Sequence, residues 1–355
     1  MLLELTQSPL ALELKIANEG IVKLLEALTA EDADYQTAMS VWDHPGKPTK
    51  AGVDAVLALP RPEREELWRA VAADVAFDES FDQPDFAFAF HALDESTRRA
   101  GRQLLVSMYE TVFSGGGFAL PVDPKATRTT WELAFREANP SIRVCPACLL
   151  SNLEERIENR AAIDADHYLP RALYPTLSVH GLNLVPTCKT CNQTAKRQKN
   201  PLGSGDGAEP LGSIWFPYRQ AGVEDLALGF QLRSANTETL VNFAGKPGAE
   251  RQAELFDELF LLSTRWSRTL PSIHSRIVTQ VLTYLKVHPD LASPLTEPAV
   301  ADVLRTLGSM MEHELSNTPG EYVAGRYCAW LAETAAALSA FVTELEDTLA
   351  RNRPS

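Results

Sequence analysis

Two short cysteine pairs limit the folds open to this chain more than any other feature. They are Cys145-Pro-Ala-Cys148 and Cys188-Lys-Thr-Cys191. Two C-x-x-C pairs supply the four thiolates of a tetrahedral structural zinc site. Four of the five cysteines lie in these pairs, which is typical of a metal site in a reducing compartment rather than of disulfides. We therefore predict that zinc closes residues 145–191 into a loop in a cytoplasmic protein.

Side chains suited to catalysis lie within or beside this loop. Asp166 and His167 come first, Asn183 follows, and Asn192 comes directly after the last cysteine. A neutral histidine can take a proton from water near pH 7. Carboxylate and amide oxygens suit a hard cation such as Mg²⁺ or Mn²⁺. Residues 161–170 and 182–187 are predicted to form short strands, and 191–198 a helix.

This order of strand, loop, strand and helix resembles the ββα-metal core of HNH endonucleases with a cysteine-bracketed zinc site. The resemblance is carried by the runs Asp166-His-Tyr-Leu-Pro170, Tyr174-Pro175, Leu177-Ser-Val179, Asn183-Leu-Val-Pro186 and Cys188-x-x-Cys191-Asn192. The likeness covers residues 141–202 only and implies nothing about the flanking segments. It implies a metal-dependent hydrolase that cuts phosphodiester bonds, with DNA as the substrate.

The resemblance also implies a role for each of these residues. His167 would be the general base, and Asp166 and Asn192 would hold the catalytic Mg²⁺ or Mn²⁺. Asn183 would hold the second strand and orient the base. The family often has a lysine three residues after the asparagine, but Ala195 stands there and Lys196 follows. The basic residues expected to contact nucleic-acid phosphates are Lys189, Lys196, Arg197 and Lys199, without a choice among them.

The flanking segments have helical apolar patterns. Leu12, Ile16, Leu24, Leu25 and Leu28 predict one amphipathic helix, and Ile273, Ile277, Val281 and Leu285 predict another. Short strands are predicted at 213–218, 228–234 and 238–243. We predict an α+β protein that is mainly helical, with a helical region at 1–140, the zinc module at 141–202, a loop with short strands at 203–245 and a helical region at 246–355.

Charge is distributed unevenly along the chain. The net charge is −14, although residues 141–199 contain eight basic and five acidic residues. A surface that held nucleic acid throughout would be basic, so any such contact is expected to be local. We expect the acidic helical regions to dock a protein partner or a second copy. A small HNH protein with a non-basic body resembles nuclease subunits of bacterial anti-phage systems, which often work with an ATPase or regulatory subunit.

The remaining expectations concern an alternative function, two single residues and the membrane. The main alternative function is a catalytically inactive zinc module that binds nucleic acid or protein. His180 is expected to be a solvated loop residue, and Cys328 a core residue. No run of apolar residues is long enough to cross a bilayer, and the first residues lack the basic start of a secretory signal, so no membrane association is expected.

Overall fold

The computed structural model describes residues 2–79, 86–153, 164–203, 209–232, 239–288 and 294–351. In these ranges most residues are helical, and two small antiparallel sheets are present. The α-helices are α1 (Pro9–Ala27), α2 (Tyr35–Ser40), α3 (Lys50–Leu57), α4 (Arg61–Asp74), α5 (Glu95–Ser107), α6 (Arg128–Ala138), α7 (Glu250–Phe260), α8 (Leu262–Val287), α9 (Glu297–His313), α10 (Glu321–Glu333) and α11 (Ala335–Arg351). The strands are β1 (Asp164–His167), β2 (Leu184–Thr187), β3 (Leu226–Leu232) and β4 (Thr239–Gly245). The expected α+β class is consistent with this content.

Helix α1 begins at a proline preceded by a capping serine. The Ser8 hydroxyl accepts a hydrogen bond from the Ala11 N–H at 3.2 Å, which satisfies one free donor of the first turn. The predicted helix is therefore present, but its predicted buried face is partly wrong. Leu12 is 59% exposed and Ile16 is 36% exposed. The buried face instead follows the residues one turn apart on the other side of the helix, which are Leu10, Leu14, Ala17, Ile21, Leu24 and Leu25.

The chain divides into two compact units. The first combines Leu3–Pro140 with Leu153–Gly222 and contains α1 to α6 together with β1 and β2. A buried cluster of aliphatic and aromatic side chains forms its core, including Leu14, Leu24, Leu104, Phe113, Phe118 and Trp131. These units join non-contiguous segments, whereas the division predicted from the sequence followed the chain.

The loop between β1 and β2 packs directly against helices of the first unit. The Thr176 hydroxyl donates to the Asp74 carboxylate at 3.1 Å, and the Ser178 hydroxyl donates to the Leu105 carbonyl at 2.8 Å. Gly181 lies so close to α1 that a Cβ atom there would be 2.1 Å from the Ala11 carbonyl oxygen. The loop is thus held by α4, α5 and α1, and these contacts fix the position of the strands that it joins.

The strand predicted at 213–218 is wrong. Residues Leu211–Ser213 form a 3₁₀ turn, and Tyr218 has a φ of 65°. Pro217 removes a backbone donor, and a left-handed residue beside it cannot continue a strand. Trp215 and Phe216 are nevertheless fully buried, and the Phe216 ring lies 5.7 Å from that of Tyr168.

The second unit combines Ser141–Asn152 with Val223–Ser355. Strands β3 and β4 pair antiparallel from Leu226 opposite Gly245 to Leu232 opposite Thr239, which confirms the later two predicted strands. The predicted positions 233, 234 and 238 lie outside the described residues. Helices α9 and α10 approach closely because each has a glycine at the crossing: a Cβ on Gly325 would lie 3.0 Å from the Gly308 carbonyl oxygen.

The buried face predicted for the second helical region is confirmed. Ile273, Ile277, Val281 and Leu285 are all buried on α8. Cys328 on α10 is fully buried, as expected of a core residue. Among the described residues no single helix is long and apolar enough to cross a membrane, whereas α10 and α11, bent by 100°, reach that length and composition only as a pair.

Candidate functional site

The four paired cysteines form a cluster. Their sulfur atoms all lie within 4.8 Å of one another. Cys145, Cys148 and Cys191 are buried, and Cys188 is partly buried. Four converging thiol groups can hold a metal ion, and the set is compatible with structural zinc.

Tight turns present these sulfur atoms. The Cys145 N–H donates to the Ser151 carbonyl at 2.7 Å, and its carbonyl accepts from Leu149, which has a φ of 56°. The Leu150 N–H points at the Cys148 sulfur at 3.5 Å. The second pair lies at the start of a π-helical segment, Thr190–Lys196, where the Cys188 carbonyl accepts from the Asn192 N–H at 3.0 Å. The x-x spacing lets each turn bring its two sulfur atoms to one side.

Strands β1 and β2 place the other predicted residues. They pair antiparallel, with Asp166 opposite Val185 and His167 opposite Leu184. Together with the π-helical segment they give the predicted order of strand, strand and helix. Of the first predicted strand, 161–163 lie outside the described residues, and the strand ends at 167. The second begins two residues later than predicted.

Asn183 is fully buried at the start of β2 and ties the loop together. Its side-chain oxygen accepts from the Leu169 N–H at 2.7 Å. Its amide group donates to the carbonyls of Leu169 at 3.0 Å and Leu177 at 3.1 Å. These three bonds tie the chain that follows His167 to the residue at which the second strand begins.

His167 is held in one tautomer. Its Nε2 atom lies 2.8 Å from the Ser178 carbonyl oxygen. Because a carbonyl can only accept, Nε2 carries the hydrogen, and in the neutral ring Nδ1 is then the acceptor. Burial lowers the pKa of His167 to about 3, although the bond to Ser178 opposes this shift. The ring is therefore neutral near pH 7 and has its basic nitrogen at Nδ1.

Asp166 is in a buried ion pair. Its Oδ1 atom lies 2.8 Å from the Lys196 ammonium, and both side chains are almost inaccessible, at 3% and 1% exposed. The same ammonium donates to the His167 carbonyl at 2.7 Å. Lys196, predicted among the phosphate contacts, thus points inward in this structure. Lys189, Arg197 and Lys199 are exposed.

A cavity of about 380 Å³ adjoins these residues in the first unit. Asp166, His167 and Asn192 line it, so the structure brings these three predicted residues to one cavity. Asn183 is not part of the lining and acts on the site through the loop. The basic residues that border the cavity are Arg128, Arg171, Lys196 and Arg197.

The aromatic and charged residues of the cavity lining that were not anticipated from the sequence are Tyr109, Arg128 and Arg171. The Tyr109 ring lies edge-on to the His167 ring, with centroids 4.4 Å apart, and the Arg171 guanidinium carbon lies 5.0 Å from the Tyr109 ring centroid. Arg171 also pairs with Glu110 at 3.1 Å. Arg171 directly follows the Asp166–Pro170 run, which was a usable signal. Tyr109 and Arg128 come from the helical region and have no local signal.

The expectation for His180 is wrong. It is buried, its Nδ1 accepts from the Leu182 N–H at 3.3 Å, and its ring lies 4.8 Å from that of Phe77. Burial lowers the pKa of His180 to about 4. A neutral histidine here supports the loop and does not line the cavity.

Comparison of the chain with protein-family models, with curated proteins and with solved structures gives no match. The function is therefore argued from the geometry of this site.

Proposed function

We propose that the protein is a metal-dependent endonuclease of the HNH type that hydrolyses phosphodiester bonds in DNA. The observation that supports this most is the cavity lined by Asp166, His167 and Asn192, with a neutral histidine whose Nδ1 is its proton acceptor. A general base needs a fixed ring, a neutral state and a free acceptor nitrogen. His167 meets each requirement through its burial and its bond to Ser178.

His167 would take the proton from an attacking water at Nδ1. The Ser178 carbonyl would then stabilise the positive ring through the Nε2–H bond. Asn183 would keep this geometry by holding the backbone of Leu169 and Leu177, in the loop that follows the base. The Tyr109 ring packs against the His167 ring, with centroids 4.4 Å apart, and would limit its rotation. Ser178, Asn183 and Tyr109 would all act by orienting His167. Substitutions at these positions should therefore lower the cleavage rate through the same base.

Asp166 and Asn192 would hold the catalytic Mg²⁺ or Mn²⁺. They offer a carboxylate and an amide oxygen at one cavity, which is the donor chemistry of a hard cation. When bound, such an ion would polarise the phosphate and stabilise the leaving oxygen. Two protein ligands leave most of its coordination sphere to water and phosphate oxygens.

Arg171 is the best placed group for a substrate phosphate. Its Nη1 atom is buried and has no hydrogen-bond partner among the described residues, whereas Nη2 pairs with Glu110. The face of Tyr109 supports the guanidinium. A phosphate oxygen would satisfy the unused donor, and Arg128 borders the same cavity. Zinc at the four cysteines would be structural and would fix the start of the π-helical segment that carries Asn192.

The test is plasmid cleavage by the full chain with added Mg²⁺ or Mn²⁺. The wild type should cut, and His167→Ala should lose at least about a hundredfold in rate because the general base is gone. His313→Ala is the matched control, since His313 is exposed on α9 and far from the cavity in sequence. Circular dichroism and zinc content should be unchanged in both variants.

Cleavage that persists in His167→Ala would remove the assigned base. Binding of DNA by the wild type without cleavage under any metal would instead favour the inactive zinc module. The roles in anti-phage defence and with an ATPase partner are also proposals. They rest on the acidic charge of the flanking helices. If the isolated chain cut DNA at full rate without any other protein, there would be no reason to propose a partner.

A further inference from the structure

Lys196 is the least accessible charged side chain of the cavity. It is the last residue of the π-helical segment, and Arg197, with a φ of 53°, turns the chain away from the helix. A buried ammonium is costly unless it is paired and hydrogen-bonded. Lys196 has both, through the Asp166 carboxylate and the His167 carbonyl.

The acid that Lys196 neutralises is the one assigned to the divalent cation. Asn192, the second assigned ligand, lies one turn earlier on the same helical segment and lines the same cavity. The ammonium and a divalent cation would therefore meet at one carboxylate. Two cations within a few ångströms in a buried site repel strongly, since little water screens them.

We propose that Lys196 is the resident counter-cation of Asp166 and competes with the divalent cation for it. Metal binding then requires the ammonium to release the Asp166 oxygen. The inference rests on the proposed function, because it concerns the same metal position. It also assigns Lys196 a role other than the contact with substrate phosphates that the sequence predicted for it.

Lys196 is then a positioning residue with two effects. Before the metal binds, its ammonium holds the Asp166 carboxylate in place on β1 through the ion pair of 2.8 Å. It also raises the concentration of metal that is needed for binding, because the cation must displace the ammonium from the Asp166 carboxylate. Removing the charge of Lys196 while keeping a hydrogen-bonding side chain should lower the metal concentration that is needed.

The experiment is a titration of the full chain, with its structural metal retained, with Mn²⁺. Electron paramagnetic resonance measures the Mn²⁺ that remains free. Lys196→Gln keeps donors for Asp166 and His167 but removes the charge, and it should bind Mn²⁺ about tenfold more tightly than the wild type. Mn²⁺ should also raise the unfolding temperature more in this variant. Lys196→Met, of similar volume, repeats the test if the glutamine variant does not fold.

Asp166→Asn in the Lys196→Gln background locates the ion, and it should abolish the tight binding. An equal or weaker affinity in Lys196→Gln than in the wild type would overturn the inference. If the wild type also bound Mn²⁺ through Asp166 and cut DNA, the proposed function would stand without it. Absence of Mn²⁺ binding in every variant would overturn the inference, and the cleavage assay would then decide the proposed function. Mn²⁺ binding that is indifferent to Asp166→Asn would overturn both.

Discussion

At the scale of single residues, the site depends on side chains whose polar atoms are almost all committed. Asn183 uses its oxygen and its amide group in three backbone bonds. His167 is fixed by one carbonyl. Arg171 differs, because one of its guanidinium nitrogens has no partner among the described residues. A buried donor without a partner is costly, and this nitrogen is the one that we propose for a substrate phosphate.

Replacing Arg171 by alanine should weaken DNA binding. We expect the affinity for a short duplex to fall about tenfold at low salt, and the slope of log affinity against log salt to decrease by about one, because one phosphate contact is lost. Fluorescence anisotropy over a salt series measures both. Arg305→Ala removes an arginine that is also paired with an acid, but on α9, and should change neither. An unchanged salt slope in Arg171→Ala would exclude a phosphate contact.

At the scale of elements, close backbone approach decides where the strands of the site lie. Gly181, in the loop between β1 and β2, rests against the Ala11 carbonyl of α1. The Ser178 hydroxyl also ties the loop to α5, because it donates a hydrogen bond to the Leu105 carbonyl. The two π-helical segments, Met108–Gly116 and Thr190–Lys196, supply Tyr109 and Asn192 to the cavity. Segments of this kind are frequent at functional sites because they alter the direction of side chains.

Gly181→Ala should destabilise the protein. The new methyl group would meet the backbone of α1, which cannot move as a side chain can, so we expect a loss of about 1–3 kcal/mol in the free energy of unfolding. Urea denaturation gives this value. Gly115→Ala is the matched control, since no atom lies within 4 Å of its added Cβ and stability should hardly change. Equal stability of the two variants would contradict the close packing of loop and helix.

We expect the cysteine cluster to bind zinc, and we expect substitution of one of its cysteines to reduce the zinc content of the protein. Purified protein should contain about one zinc ion per chain by atomic absorption. Cys191→Ser should lose the ion and melt at a lower temperature, because metal binding and folding of such a site are linked. Cys328→Ala, which removes a buried thiol outside the cluster, should retain the ion. Loss of zinc in both variants would indicate general unfolding and not a ligand.

At the scale of the whole molecule, buried histidines make stability depend on pH. The pKa of His180 falls to about 4 in the folded chain from 6.5, so the unfolded chain binds more protons between these values. Stability that is present above pH 6.5 is therefore lost as the pH falls towards 4. His167 acts in the same direction because burial also lowers its pKa.

His180→Asn should reduce this dependence. Between pH 6 and pH 5 the slope of unfolding free energy against pH should decrease by about 1 kcal/mol per pH unit, since one proton uptake on unfolding is removed. Urea titrations at several pH values measure it, and His313→Asn serves as the exposed control. Because both proteins carry the same cysteine cluster, its own acid sensitivity cancels in the difference. An identical slope in wild type and His180→Asn would show that His180 is not buried neutral.

The sequence alone predicted the features that depend on local spacing. The x-x spacing of the cysteines predicted the cluster, and the apolar repeat of Ile273, Ile277 and Val281 predicted a buried helix face. These predictions succeed because a C-x-x-C turn and the apolar face of a helix are formed by residues that are close together in the chain. The same reasoning failed for Leu12 and Ile16, since an aliphatic repeat does not say which side of a helix is covered.

Only the tertiary structure decided which distant groups meet. It brought Tyr109 to the edge of His167 and Arg128 to the cavity, from helices with no motif. It turned Lys196, from a polar stretch of sequence, inward onto Asp166, and it buried His180 against Phe77. The reason is physical: burial and ion pairing depend on the surroundings in three dimensions, which neither residue type nor spacing specifies.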